Sequence, residues 1–194
     1  MKQIGITGGI GSGKTTVSRI FQSLGIPLYE ADSRAKKVSN KDPEVRQQII
    51  QLFGDKAYDG GTLNRPFLAG EVFSQPDKLQ QLNGIIHPAV GRDYEQWVSF
   101  QRQTPYTLKE AAILFESGSN RFLKAVILVT APEELRIQRV MDRDGTNREE
   151  VLKRMANQWS DDKKRELSQF EIINDGKSSL IKQVMNIHEQ ILTL

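Results

Sequence analysis

The chain has 194 residues, 38% hydrophobic and 26% charged, which suits one α/β domain with a substantial core. Its 27 Lys and Arg against 24 Asp and Glu leave a net charge of +3 with both signs interspersed, a weak signal for nucleic acid, and no apolar run is long enough to cross a bilayer. Cysteine is absent, which excludes disulfides, zinc–thiolate sites and a cysteine nucleophile and is compatible with a reducing cytoplasm. A strand-like segment starts at the N-terminus, so no signal or transit peptide is expected. The expectation is a cytoplasmic protein acting on a small molecule, with neither nucleic acid nor membrane as partner; the sequence leaves oligomeric state open.

Residues 2–7 predict a first strand through the apolar run Ile4-Gly5-Ile6. Gly8-Gly9-Ile10-Gly11-Ser12-Gly13-Lys14-Thr15 follows and fits the phosphate-loop pattern G-x-x-x-x-G-K-[ST] at every fixed position. The backbone N–H groups of such a turn form a nest for phosphate oxygens, and the dipole of the following helix adds positive potential. Gly8, Gly9, Gly11, Ser12, Gly13, Lys14, Thr15 and Thr16 are therefore the candidate ATP-binding residues. Lys14 would reach the β- and γ-phosphates, and the Thr15 hydroxyl would hold Mg²⁺. Val17, Ile20, Phe21 and Leu24 give the helix one apolar face, and Gly25 closes it.

Ile26 to Tyr29 reads as a second strand ending in Glu30-Ala31-Asp32, expected beside strand one. Residues 33–104 carry helical patterns broken at Gly54, Gly60-Gly61 and Pro76, a long insertion that would build a substrate side. Pro88 is expected to end the helix before it. Ala111 to Phe115 and Ala125 to Val129 are continuous apolar runs of the kind a parallel sheet buries on both faces. Glu116 then falls at a strand's carboxyl end, where it could hold a Mg²⁺ water or an arginine. Thr130-Ala131-Pro132-Glu133 predicts a capping box opening a helix, and Asn147 opens the next. Glu171-Ile172-Ile173 is a short last strand before the Asn174-Asp175-Gly176 turn, and a closing helix buries Leu180, Val184, Ile187 and Ile191. Strands and helices in alternation mean a doubly wound parallel sheet.

A phosphate loop alone does not choose among kinases, switches and motors. A GTPase switch needs D-x-x-G and then N-K-x-D; here Asp142 to Gly145 comes late, and Asn40-Lys41-Asp42 precedes it without the spacer. A small-molecule kinase needs a carboxylate for the acceptor hydroxyl and arginines for the transferred phosphoryl. Asp32 is the best carboxylate, though a helix-capping role would suit it too. Arg136, Arg139 and Arg143 share a helical face at i, i+3, i+7, in a segment rich in basic residues that could close over ATP. Trp97 and Trp159 read as packing residues. A nucleoside monophosphate kinase and a nucleotide-dependent switch remain alternatives.

Over nearly its whole length the chain resembles the dephospho-coenzyme A kinase family. The resemblance rests on Ile6 to Val17, Glu30-Ala31-Asp32, Leu63-Asn64-Arg65 and Val72-Phe73. It continues in Ile85-Ile86-His87-Pro88, Leu114-Phe115-Glu116, Arg139 to Gly145, Gln158 and Asn174-Asp175-Gly176. It implies a P-loop NTPase core (about 1–32, 105–135 and 170–194), a helical CoA-binding region (about 33–104) and a helical lid (about 136–168). The implied reaction is phosphorylation of the ribose 3′-hydroxyl of dephospho-CoA by ATP with Mg²⁺. Asp32 would be the base or orienting group, Arg65 and His87 would serve the substrate side, Arg139 and Arg143 the lid, and Asn174 the adenine side. Glu30, Ala112 and Ser168-Gln169 depart from the family's usual aspartate, proline and alanine-aspartate.

Overall fold

The computed structural model describes residues 1–73 and 75–194. In chain order it runs β1 (Lys2–Thr7), α1 (Lys14–Ser23), β2 (Leu28–Glu30), α2 (Ala31–Lys41) and α3 (Pro43–Phe53). A small hairpin, β3 (Tyr58–Asp59) and β4 (Thr62–Leu63), leads to α4 (Arg65–Phe73) and the long α5 (Pro76–Ser99). The chain continues through β5 (Tyr106–Glu110), β6 (Ala125–Thr130), α6 (Glu133–Asp144), α7 (Arg148–Ala156), α8 (Asp161–Glu166), β7 (Phe170–Ile173) and α9 (Leu180–Thr193). It forms two compact units: residues 1–30 with 101–194, and residues 31–100.

The first unit is built on a five-stranded sheet of order β2-β5-β1-β6-β7. Every pairing is parallel, so all five strands deliver their carboxyl ends to one edge, where open α/β sheets place ligands. β1 lies in the middle, with Ile4 and Ile6 fully buried. They pack with Val17 and Phe21 of α1, Leu108, Ile127 and Ile172 of the neighbouring strands, and Val184, Ile187 and Ile191 of α9. The α1 helix stops because Gly25 takes a left-handed φ of 82°. Its N–H donates to Gln22 O and that of Ile26 to Phe21 O, the paired bonds of a Schellman ending.

Four expectations need correction. The strand before Glu116 is Tyr106–Glu110, and residues 112–122 form turns. Thr107 and Lys109 made that stretch look polar, yet both are buried because β5 has partners on each side. β2 does not border β1, since β5 lies between them. The capping box does not form: Thr130 ends β6, its hydroxyl donates to Glu171 Oε1 at 2.9 Å, and α6 starts at Glu133 behind Pro132 without a side-chain cap. Pro88 does not end a helix. α5 runs straight through it, with Leu82, Ala89, Val90 and Tyr94 buried along its length. Packing on both sides of the proline outweighs the missing backbone bond.

The second unit has its own core of Val38, Val45, Ile49, Ala57, Leu68, Leu82 and Ala89. Asp42 caps α3 through Glu44 N and Val45 N, and the Asn64 side chain receives Phe67 N in the first turn of α4.

Nothing lies within 4 Å of where a Gly25 Cβ would stand, so Gly25→Ala tests backbone strain alone. It should cost about 1–2 kcal/mol in urea denaturation, with an unchanged slope.

Candidate active site

The phosphate loop spans the turn from β1 to α1. Gly11 and Gly13 have φ of 79° and 92°, and a Cβ at either would collide, with the Arg136 backbone at Gly11 and with the Asn174 amide at Gly13. Both glycines are thus fixed by conformation and by space. α1 begins at Lys14 with no side-chain cap and no acidic residue in its first turn. Its first N–H groups, which no intrahelical carbonyl can satisfy, are the donors an anion would use. Lys14 Nζ donates to Gly8 O at 2.9 Å and Gly9 O at 3.2 Å, curling over the loop that would receive the phosphates.

Side chains hold the loop's backbone from behind. Arg136, only 8% exposed, donates through Nε to Ile10 O at 3.0 Å and through Nη1 to Asp161 Oδ2 at 2.9 Å. Asn174 Nδ2 donates to Ser12 O at 2.8 Å. Arg139 Nη1 reaches Gly11 O at 3.5 Å and Asn174 O at 3.2 Å, while Nη2 donates to Asn174 Oδ1 at 3.2 Å. Gln158 Oε1 accepts from Ile10 N at 2.8 Å. Three consecutive carbonyls, of Ile10, Gly11 and Ser12, are thereby engaged by protein donors, which fixes the peptide planes between them.

Beside the loop, the Thr15 hydroxyl donates to Glu110 Oε1 at 3.2 Å. Burial pushes the Glu110 carboxyl up, with Glu30 adding to it; the Ser18 and Thr15 hydroxyls and the Lys14 ammonium pull it back. Ser18 approaches without completing a hydrogen bond, and Glu110 Oε2 is buried without a donor. A hydroxyl beside an unsatisfied carboxylate oxygen is a hard, all-oxygen donor set of the kind that suits Mg²⁺.

Glu116 is placed differently from expectation. It lies in the turns after β5, accepts from Trp159 N at 3.0 Å and pairs with the fully buried Lys164 at 3.0 Å. Lys164 also donates to Ala112 O at 3.2 Å. The pair ties α8 to the turns after β5, so Glu116 is engaged by a lysine rather than by an arginine. Arg143 is exposed and paired with its neighbour: its guanidinium forks onto Asp144 at 2.7 and 3.0 Å. With Arg154 also on it, Asp144 is held down to about 2.

In the second unit, Asp32 stands exposed in the first turn of α2. It shares a cleft of about 560 Å³ with Lys36, Arg65, Leu68, Val72 and Ile86. Asp32 and Arg65 are therefore brought together. His87 is half-buried in mid-α5 and is not among the described residues that line the cleft.

The sequence profile of dephospho-CoA kinase matches residues 2–179. The chain belongs to the dephospho-CoA kinase family. It is 44% identical to a dephospho-CoA kinase of Porphyromonas gingivalis, covering 100% of this chain and 96% of that one. A crystal structure of a Thermus thermophilus protein superposes with a TM-score of 0.88 at 35% identity, over 97% of this chain and 96% of that one. A dephospho-CoA kinase from Campylobacter jejuni shares the fold, with a TM-score of 0.72 at 24% identity, over 100% and 98%.

Within this kinase family frame, sequence reasoning underrated Arg136, although its i, i+3 spacing to Arg139 put both on one helix face. It missed Lys36, one helical turn from Asp32. It missed Glu110 because the strand was set five residues late.

Lys164→Met strands Glu116 as a buried, unpaired charge. We expect a loss of roughly 3–5 kcal/mol in chemical denaturation, largely recovered when Glu116→Gln is added. Equal stabilities of single and double variants would contradict the pairing.

Proposed function

We propose that this chain transfers the γ-phosphoryl of ATP to the ribose 3′-hydroxyl of dephospho-CoA, giving CoA and ADP, the last step of coenzyme A synthesis. The observation that carries the reading is the family match over residues 2–179, which takes in both the phosphate loop and the helical unit. The nucleoside monophosphate kinase and switch alternatives have no comparable support.

ATP lays its phosphates along residues 8–16, against the loop's N–H groups and the start of α1. Lys14 leaves the Gly8 and Gly9 carbonyls for the β- and γ-oxygens. Thr15 would hold Mg²⁺, which when bound neutralises charge developing on those oxygens. Arg139 stands against Gly11 and supplies positive charge at the loop's far side. Arg143 can serve only after releasing Asp144. Arg136 and Gln158 anchor both ends of the segment between them to Ile10, so closure over ATP belongs to α7 and its flanks. Asn174, between Arg139 and the loop, borders the adenine side.

Dephospho-CoA occupies the cleft of the helical unit. Its phosphates suit Lys36 and Arg65, and its long arm suits the apolar wall of Leu68, Val72, Leu82 and Ile86. Asp32 orients the 3′-hydroxyl and takes its proton late, since a loose transfer needs little base strength. His87 supports the substrate side indirectly, from within α5.

The test is ADP release with Mg·ATP and each acceptor in turn: dephospho-CoA, nucleoside monophosphates and shikimate. Stimulation by dephospho-CoA alone, with CoA formed, is expected; stimulation only by a nucleoside monophosphate would overturn the reading. Asp32→Asn should lower kcat by about 10²–10⁴-fold while leaving the KM for ATP nearly unchanged. Arg139→Ala should cost about 10²–10³-fold in kcat. Arg143→Ala, which removes an exposed ion pair, should cost about tenfold or less.

A further inference from the structure

We propose that Asp93 is a positioning residue for the acceptor-side carboxylate: through its fork with Arg34 it sets the roll of α2 about its own axis, and so the place of Asp32. This rests on the reading of Asp32 as the group that meets the acceptor hydroxyl.

All the groups involved belong to the second unit. Asp32, Ala35, Lys36 and Ser39 recur at i, i+3, i+4 and i+7 along α2, and all four line the cleft. Arg34 and Val38, one turn apart, lie about a third of a turn round from that stripe. Val38 is buried in the unit's core, in the same cluster as Ala89 of α5. Arg34 meets Asp93, one turn beyond Ala89. Its Nε donates to Oδ2 and its Nη2 to Oδ1, both at 2.6 Å. The ion pair thus carries the packing of α2 on α5 one turn further, to the end of α2 that bears Asp32.

α2 buries only Val38 and Ser39, and none of residues 31–37 is buried. Apolar packing therefore holds α2 from its second turn onward, and a polar tie holds it before that. A single hydrogen bond would leave the helix free to roll. Two parallel N–H···O bonds in the plane of one guanidinium resist it. The two side chains are 29% and 21% exposed, so water screens them less than it screens the exposed Arg148–Glu134 pair. A roll of roughly 20° would carry a carboxylate about 5 Å from the helix axis through roughly 2 Å. A misplacement of about 1 Å at a reacting centre costs on the order of 10²-fold in rate.

Asp93→Asn keeps the shape and removes the charge and one acceptor. Arg34→Lys keeps the charge and loses the fork. With Mg·ATP and dephospho-CoA, each should lower kcat by about 3–30-fold, with the KM for ATP within about twofold of the parent. The deciding readout is the combination with Asp32→Asn. Because Asp93 acts through Asp32, Asp93→Asn should cost less than about twofold once Asp32 is already replaced. A residue that only stabilised the fold would repeat its full loss there. Should Asp93→Asn melt below the assay temperature, Arg34→Lys carries the same comparison. Unchanged kcat in either single variant, or the full loss repeated beside Asp32→Asn, would overturn the proposal and leave the role of Asp32 standing. A kcat in Asp32→Asn equal to the parent's would instead overturn the reading of Asp32, and this proposal with it.

Discussion

The first unit depends on the way the phosphate loop's carbonyls are held from behind. A peptide plane has two polar ends, and fixing one direction fixes the other. Arg136 takes Ile10 O, Arg139 takes Gly11 O and Asn174 takes Ser12 O. The loop therefore does not have to reorganise its own backbone to present N–H groups to an anion. Preorganised dipoles of this kind are what make a site effective in stabilising transferred charge.

The rest of that unit can be read as support for these bonds. The parallel sheet puts the ends of β1, β5, β6 and β7 at one edge, so the loop, Glu110, α6 and Asn174 meet there. Arg136 is itself fixed by Asp161, and the buried Lys164–Glu116 pair ties α8 to the turns after β5. Removing a distant partner such as Lys164 would loosen the segment that carries Asp161 and Gln158, and through them the loop.

Much of this was legible in the residues. The β1–loop–α1 unit announces itself because its glycines answer to a local rule: left-handed backbone and close approach. The helical faces of α1 and α9 also follow from local spacing. What escaped depended on neighbours that a local pattern cannot see. β5 holds Thr107 and Lys109 indoors because strands flank it on both sides, so its polarity hid it, and Glu110 with it. Pro88 sits inside α5 because packing overrides a backbone rule. The loop's partners come from far along the chain: Arg136 stands 126 positions after Ile10, and Asn174 stands 162 positions after Ser12. In the second unit the Asp32–Arg65 cleft joins α2 to the start of α4, a juxtaposition that helical periodicity could not supply.

The most direct measurement is a pair of crystal structures of this protein, without nucleotide and with ADP. A preorganised loop predicts that the backbone of residues 8–15 superposes within about 1 Å. It also predicts that the bonds from Arg136 to Ile10 O and from Asn174 to Ser12 O survive in both. A loop that breaks those bonds and refolds around the phosphates would contradict it.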